Sequence, residues 1–153
     1  MKSTEELYNI LNQTKDDSIE AYLREESSNL LHKKRFANYM RAMLSVKGIR
    51  QQDLFVQADI PERYGYKLIS EEKHTRKRDI ILRLCIAGGL SLKETQRALT
   101  IYGMADLYPR IPRDCVVIIA LNRDIHNVHT VNEMLKENGF EELENCGAGD
   151  TGD

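Results

Sequence analysis

The sequence predicts an all-α fold. Signals for helix starts recur along the chain, and no pair of strand-like segments joined by a turn is visible. Ser3, Asp17, Ser91 and Thr130 each precede a glutamate by three residues. At this spacing the two side chains can satisfy the unpaired amides of a helix start. Glycines, which adopt left-handed backbone at little cost, stand where the helices would end: Gly48, Gly88, Gly89, Gly103 and Gly139.

Nine helices follow from these signals and from the apolar periodicity between them. One run, VVIIAL at 116–121, also suits a buried strand because its residues are mostly β-branched. Pro112 just before it fits the first turn of a helix, so a helix is preferred there. The expected helices span about 4–13, 18–26, 29–47, 51–58, 61–70, 76–87, 92–102, 112–122 and 130–138.

Composition limits the class of protein. A chain of 153 residues with 41% hydrophobic and 30% charged residues can form one main core. No apolar run approaches the length of a membrane span, and the acidic, amphipathic start lacks the features of a secretory signal. We therefore expect a cytoplasmic protein with no membrane partner. The three cysteines never form a CxxC pair, so they suggest neither a disulfide framework nor a zinc knuckle.

Charge is distributed unevenly along the chain. Residues 1–31 hold three basic and seven acidic residues, residues 32–83 hold thirteen and six, and residues 84–153 hold six and eleven. A basic middle between acidic flanks can act as a local footprint for nucleic acid, although the whole chain has a net charge of -2. Solvated helices rich in Lys and Arg would give the same pattern.

The middle of the chain carries a recognisable order of elements. A helix ends at Gly48, IRQQDL follows at 49–54, and a short turn at 58–60 leads into a second short helix through Leu68. Residues 36–103 therefore resemble the Cro and λ-repressor (XRE-type) helix-turn-helix domain. The positions that match its pattern are the apolar anchors and the opening glutamine of the motif: Ile49, Gln51, Leu54, Ile60 and Leu68.

The resemblance implies a λ-repressor-like five-helix DNA-binding domain at 32–103, with additional N- and C-terminal helices. Residues 1–31 would be an acidic helical segment and residues 104–143 a helical extension, as in a variant subgroup of these regulators. Residues 144–153 are small, acidic and poor in apolar side chains, so we expect a disordered tail there.

In this family the first motif helix, here about 51–58, supports a recognition helix, here about 61–70, which enters the major groove. The resemblance gives two sets of contacts. Candidates for reading bases are Glu62, Arg63, Tyr66 and Lys67. Candidates for holding phosphates are Arg50, Gln51, Lys73, Arg76, Lys77 and Arg78.

Four positions depart from the family pattern. Pro61 replaces a capping Ser or Thr, and Gly65 stands where Ile or Val packs. Glu71 occupies a loop site that is usually Gly, and Thr75 one that is often Pro. Gly65 costs about 1 kcal/mol of helix propensity relative to alanine, and it could allow close helix packing.

No pattern of catalytic residues stands out. The aspartic-protease triplet at Asp150 ends the chain without the β fold that this chemistry requires. His126 and His129 lack a third ligand at helical spacing, and no phosphate-binding glycine motif is present. We expect no enzyme activity, no metal and no cofactor.

The sequence thus predicts a sequence-specific DNA-binding transcriptional regulator. Its partner would be double-stranded DNA, bound by a homodimer because operators of this family are commonly two-fold. Surplus apolar surface is expected at 111–140, either for dimerisation or for core packing. The alternative is a protein-interaction adaptor, antitoxin-like or kinase-linked, that keeps the fold without reading DNA and binds a protein through its acidic flanking helices.

Overall fold

The computed structural model describes residues 4–6 and 34–151. The chain divides into two units, 1–35 and 36–153. In the first unit residues 4–6 are helical, whereas the helix expected at 18–26 and the start of the one expected at 29–47 lie outside the described residues. Residues 34–151 form helices and no strand: α1 Arg35–Lys47, α2 Gln51–Ala58, α3 Glu62–Ile69, α4 Arg78–Ala87, α5 Leu92–Tyr102, α6 Pro112–Asn122, α7 Val128–Glu137 and α8 Ala148–Thr151.

Helix α4 is the centre of the second unit. Every residue from Asp79 to Ala87 is buried, and the helix packs against α2, α5 and α7. A helix that is apolar on all sides needs neighbours on all sides. The C-terminal extension supplies some of them, because α6 and α7 contribute to the same core: Val117, Ala120, Leu121, Val131 and Leu135 are buried in it. The all-α prediction is confirmed for the described residues, including the helix over VVIIAL.

Among the described helices, α5 and α7 begin with a side-chain cap, and two helix starts differ from the prediction by two residues. The capping box at α5 is present, with the Glu94 amide donating to Ser91 Oγ at 3.1 Å. Helix α7 begins at Val128 instead of 130, because Asn127 Oδ1 accepts from the Thr130 amide at 3.0 Å. Helix α4 begins at Arg78 instead of 76, since the Lys77 amide bonds to Thr75 Oγ1 in the preceding turn.

The glycine at position 65 sets the approach of α3 to α2. A Cβ placed on Gly65 would lie 2.4 to 2.6 Å from three ring carbons of Phe55, whose side chain is 1% exposed. The Phe55 ring also meets Tyr66 edge-on, with centroids 4.9 Å apart. An Ile or Val at 65 would push the helices apart, so the departure from the family pattern is paired with a large residue on α2.

A second departure from the family pattern, Glu71, has the backbone conformation of a glycine and uses its side chain for a hydrogen bond. Its φ of 63° lies in the left-handed region, where glycine is the usual residue. Glu71 Oε2 accepts a hydrogen bond from the Ala37 amide at 3.2 Å, in the first turn of α1. The carboxylate therefore satisfies an amide that α1 itself leaves unpaired.

Two Arg-Asp dipeptides join the starts of α4 and α6. Arg78 holds the Asp114 carboxylate through both terminal nitrogens, one of them at 3.2 Å from Oδ2. Arg113 holds Asp79 in the same way, at 3.2 and 2.9 Å. We call this four-residue arrangement the Arg-Asp clasp. Both carboxylates are buried and lie in first helical turns, where negative charge is favourable.

Arg83, in the middle of α4, ties the end of the chain to the helix-turn-helix segment. The side chain is buried, at 5% exposure, and donates to three backbone oxygens. These are Ala58 O at the end of α2 (3.1 Å), Leu143 O (2.8 Å) and Glu144 O (3.1 Å). Burial lowers the pKa of Arg83, and the nearby carboxylates of Asp59 and Asp79 oppose that effect.

Residues 144–151, in the segment where disorder is expected, make polar contacts with the rest of the second unit. The Glu144 amide donates to Asp79 at 2.8 Å, and the Asn145 side chain donates to Asp59 O at 2.9 Å. A short helix, α8, follows at Ala148–Thr151. Residues 152 and 153 lie outside the described part.

Replacing Gly65 by alanine should destabilise the protein by up to about 2 kcal/mol. Alanine gains about 1 kcal/mol in helix propensity, but overpacking against a buried ring costs about 1 to 3 kcal/mol. The midpoint of urea unfolding should fall relative to the wild type. Gly149→Ala is the control, since no atom lies within 4 Å of a Cβ at that position. A stabilised Gly65→Ala protein would show that the Phe55 contact does not limit the spacing.

Replacing Asp114 by alanine should cost about 2 to 4 kcal/mol, because it leaves the Arg78 guanidinium without its partner at a site where the carboxylate is almost fully buried. Asp53→Ala removes a carboxylate from another Arg-Asp pair, Arg50 with Asp53, whose side chains are 77% and 53% exposed. That control should change the free energy of unfolding by less than about 1 kcal/mol. Equal losses in the two variants would mean that the clasp contributes no more than a surface pair.

Candidate nucleic-acid interface

Helix α3 has two distinct faces. Tyr64, Gly65, Leu68 and Ile69 are buried against the core. The opposite face carries Glu62, Arg63 and Tyr66, all exposed, and Lys67, which is half-buried. The four residues proposed to read bases therefore occupy the outward side of one short helix.

A tight turn presents this helix. Asp59 closes α2 with a left-handed φ of 56°, and the Ile60 amide bonds to Phe55 O at 3.0 Å. Pro61 then stands at the N-cap of α3 without a side-chain hydrogen bond, as expected for a residue that replaces Ser or Thr. The first turn of α3 thus begins without a side-chain cap and carries the exposed side chains of Glu62 and Arg63.

The start of α2 lies beside the outward face of α3. Arg50 is at the N-cap of α2 and is exposed, and its Nε donates to Asp53 Oδ2 at 2.9 Å. The pKa of Arg50 is raised, first by this hydrogen bond and then by the charge of Asp53, with a smaller effect from Tyr66. On the outward face of α3, Tyr66 meets the ring of Phe55 in α2 edge-on. Gln51, the glutamine that opens the motif, is half-buried at the start of α2.

The basic loop after α3 contributes fewer available cations than the sequence suggested. Arg76 is exposed, and Lys73 is half-buried, with its amide bonded to Lys67 O at 3.0 Å. Arg78 is half-buried in the Arg-Asp clasp with Asp114. Because both of its terminal nitrogens bind this buried carboxylate, a phosphate would have to compete with Asp114 for Arg78.

Lys77, also proposed to hold a phosphate, is bound by the tail. Its Nζ lies 2.6 Å from Asp150 Oδ2, 3.3 Å from Asn145 O and 3.7 Å from Glu144 Oε2. The hydrogen bond between Lys77 and Asp150 raises the pKa of Lys77 and lowers the pKa of Asp150. Both shifts favour the charged pair at neutral pH. We call the contact between Lys77 and residues 144–150 the tail latch.

The loop itself is fixed by aromatic residues. Thr75 is buried, and its amide donates to the Tyr102 hydroxyl at 2.8 Å. His74 stacks on the Tyr102 ring with centroids 4.2 Å apart, and Phe36 meets the same ring edge-on. Burial raises the pKa of Tyr102 to about 12, so it remains a neutral hydrogen-bond partner. The loop therefore holds Arg76 at a defined place next to α3.

Sequence reasoning missed the acidic partners of this region. Asp114 and Asp79 follow arginines in two RD dipeptides at helix starts, and that repeated pattern was the available signal. The signal for Asp150 was weaker. It is an acidic residue that could pair with the basic segment, but it lies more than seventy residues further along the chain. Arg83, a single cation inside an apolar helix, also signals a buried and hydrogen-bonded group.

The two histidines considered for metal binding each lie near a different carboxylate. His129 Nε2 is 3.0 Å from Glu133 on the surface of α7, and His126 is near Asp124 at 3.9 Å. Within the part of the chain that the structure describes, no three metal-ligating side chains converge. No helix there is both long and apolar enough to cross a bilayer.

Among known proteins, no family model, no curated protein and no solved structure matches this chain. The resemblance to the XRE-type domain therefore depends on the residues quoted for it. Any function has to be argued from the geometry of α2, α3 and the surfaces around them.

Proposed function

We propose that the protein is a sequence-specific DNA-binding transcriptional regulator whose α3 enters the major groove. The observation that carries the proposal is the division of α3 into a buried face and an outward face bearing Arg63, Tyr66 and Lys67. The buried face packs the helix against α2. On the outward face Glu62, Arg63 and Tyr66 are exposed, and Tyr66 also meets the buried ring of Phe55 edge-on.

The residue types on this face suit base edges. Arg63 lies in the first turn of α3 and could bind guanine through two nitrogens. Tyr66 and Lys67 follow one turn later, at the distance from which a recognition helix reaches the neighbouring base pair. Glu62 can accept from a cytosine amino group, although it repels phosphate.

Phosphate contacts would flank the helix on both sides. Arg50 and Gln51 stand at the start of α2, whose first amides can also receive an anion. Arg76 stands in the loop on the other side and is exposed. Such contacts position the module and make its affinity dependent on salt.

One observation favours the alternative, an adaptor that keeps the helix-turn-helix as a scaffold. Lys77 and Arg78 are paired with carboxylates of the same chain, which reduces the positive charge near α3. In that case the outward face of α3 would bind a protein, and DNA affinity would be weak and unselective. The experiments below separate the two functions.

Arg63→Ala should reduce the preference for the best binding sequence by about 1 to 3 kcal/mol, whereas Arg76→Ala should weaken all sequences alike. The measurement is fluorescence anisotropy with fragments selected from a random duplex pool, across a salt series. Loss of one phosphate contact in Arg76→Ala should lower the slope of log affinity against log salt by about 0.9.

Arg97→Ala is the matched control for both variants. Arg97 is an exposed arginine on α5, a helix that packs mainly on α4 and α6. It should bind every sequence as the wild type does. Selection that enriches no sequence, or an Arg97→Ala effect equal to that of Arg63→Ala, would contradict the DNA-reading function and leave the adaptor.

Asp150→Asn should strengthen DNA binding without changing which sequence is preferred. The substitution removes the charge that holds Lys77, so the ammonium becomes available to a phosphate and the salt slope should rise by about 0.9. Asp124→Asn gives the same change in net charge at a carboxylate that is 92% exposed and distant in sequence from the tail latch. Identical salt slopes for the two variants would show that Lys77 does not reach DNA when released.

A further inference from the structure

A cleft opens between the end of α2 and the start of α7. Its volume is about 480 Å³, within the range of roughly 300 to 1,000 Å³ that is typical of small-molecule sites. Arg83 of α4 and Asn132 of α7 lie in its wall, and both residues are more than nine-tenths buried. Asp59 and Glu142 also line the cleft and are exposed. The cleft therefore brings buried hydrogen-bond donors and exposed carboxylates together.

The side chain of Asn132 keeps a donor without an acceptor. Its Oδ1 accepts a hydrogen bond from the Leu143 amide at 2.8 Å, which fixes the orientation of the side-chain amide. Within the described part of the chain, no acceptor lies within hydrogen-bond distance of Nδ2 on the other side. Buried side-chain amides are normally satisfied on both sides. A buried amide that lines a cleft with its nitrogen unpaired therefore indicates a place for an acceptor atom of a ligand.

Arg83 adds positive charge to the same wall. A guanidinium carries five N–H groups, and three of those of Arg83 donate to the backbone oxygens at positions 58, 143 and 144. The other two, one on each terminal nitrogen, have no partner among the residues that the structure describes. All three direct partners are neutral carbonyl groups. A buried cation with neutral partners and two remaining donors favours an anionic group beside it.

The start of α7 faces the cleft with its positive end. Asn127, Val128 and His129 all line the cleft. The Thr130 amide is capped by Asn127 Oδ1, and the Val131 amide bonds to Asn127 O at 3.1 Å. The amides at 128 and 129 have no acceptor within the helix. The helix dipole therefore acts in the same direction as Arg83 and Asn132 and favours a carboxylate in this part of the cleft.

The two carboxylates in the wall make a simple anion a poor match for the whole cleft. Glu142 is paired with Lys136, whose Nζ lies 3.3 Å from Oε1. The Asp59 side chain forms no ion pair with any described residue, and its charge acts on Arg83 across the cleft wall. A positive group on a ligand would be attracted to Asp59. The cleft thus matches a small molecule that carries one charge of each sign.

We propose that this cleft binds a free α-amino acid with an aliphatic side chain. The ligand carboxylate accepts hydrogen bonds from Asn132 Nδ2 and from the two remaining N–H groups of Arg83, and the ligand ammonium lies beside Asp59. The aliphatic side chain then covers Val56, which lines the cleft and is 72% exposed. No part of the outward face of α3 is involved, so the site goes beyond the proposed DNA-binding function and is tested without DNA.

Three small molecules test the match between ligand and cleft: L-leucine, isocaproate, which lacks the ammonium, and isoamylamine, which lacks the carboxylate. Each is titrated into the ¹⁵N-labelled full chain and followed by NMR. L-Leucine should shift the side-chain amide signals of Asn132 along a saturating curve. Each of the other two compounds should bind roughly 10-fold or more weakly, because it loses one charged interaction.

Two variants assign the ends of the ligand. Asp59→Asn removes the carboxylate and keeps a residue that tolerates the left-handed backbone at this position, so it should weaken L-leucine binding by about 5-fold and leave isocaproate unchanged. Asp106→Asn is the matched control, since it makes the same charge change at an exposed residue that does not line the cleft. Asn132→Asp retains the acceptor for the Leu143 amide but replaces the donor by a negative charge. It should abolish L-leucine binding, with thermal unfolding to check that the protein is folded.

The outcomes that overturn the proposal are distinct from one another. Shifts that stay linear up to about 10 mM L-leucine would mean that there is no specific site. Equal affinities for L-leucine and isocaproate would mean a carboxylate site without a place for the ammonium. An Asp59→Asn protein that binds L-leucine as the Asp106→Asn control does, or shifts that leave the Asn132 side chain unchanged, would place the ligand elsewhere.

Discussion

The Arg-Asp clasp is the constraint on which the arrangement of the second unit depends. The starts of α4 and α6 both carry positive helix-dipole ends, and they come together only because each also carries an aspartate in its first turn. Each aspartate is held in turn by the arginine of the other dipeptide. Four charges thus neutralise one another at a place where any one of them alone would be costly to bury.

The clasp links the basic loop that follows α3 to the apolar C-terminal extension. Arg78 ends the basic loop that follows α3, and Asp114 begins the helix of the apolar extension. The ion pair between Arg78 and Asp114 fixes the end of the loop that carries Arg76. Asp79 of the same clasp accepts a hydrogen bond from the Glu144 amide and so fixes the chain there. Arg83 completes the connection by binding the last carbonyl of α2 and the backbone at Leu143 and Glu144. The candidate interface is therefore built partly by residues outside the helix-turn-helix segment.

Local signals in the sequence were enough to predict helices α2 to α7, because caps, glycines and apolar periodicity act within a few residues. The α5 capping box and the helix over VVIIAL were predicted on that basis, and the structure confirms both. Interactions between residues far apart in the sequence could not be predicted in this way. Lys77 and Arg78 look like free cations in a basic run, yet their partners Asp150 and Asp114 lie 73 and 36 residues away. The contacts of residues 144–150 were missed for the same reason, since their hydrogen-bond partners lie at the end of α2, in α4 and in the loop before α4.

Gly65 and Phe55 have a consequence for how the protein could change over evolution. The distance between α2 and α3 is set by a glycine that cannot accept a side chain and by a ring that fills the space above it. Of the outward residues of α3, Tyr66 meets the Phe55 ring, whereas Glu62 and Arg63 are exposed in the first turn. Substitutions at positions 62 and 63 therefore leave the contact between Gly65 and Phe55 unchanged. A lineage carrying this domain is free to alter what the helix recognises while the scaffold beneath it stays the same.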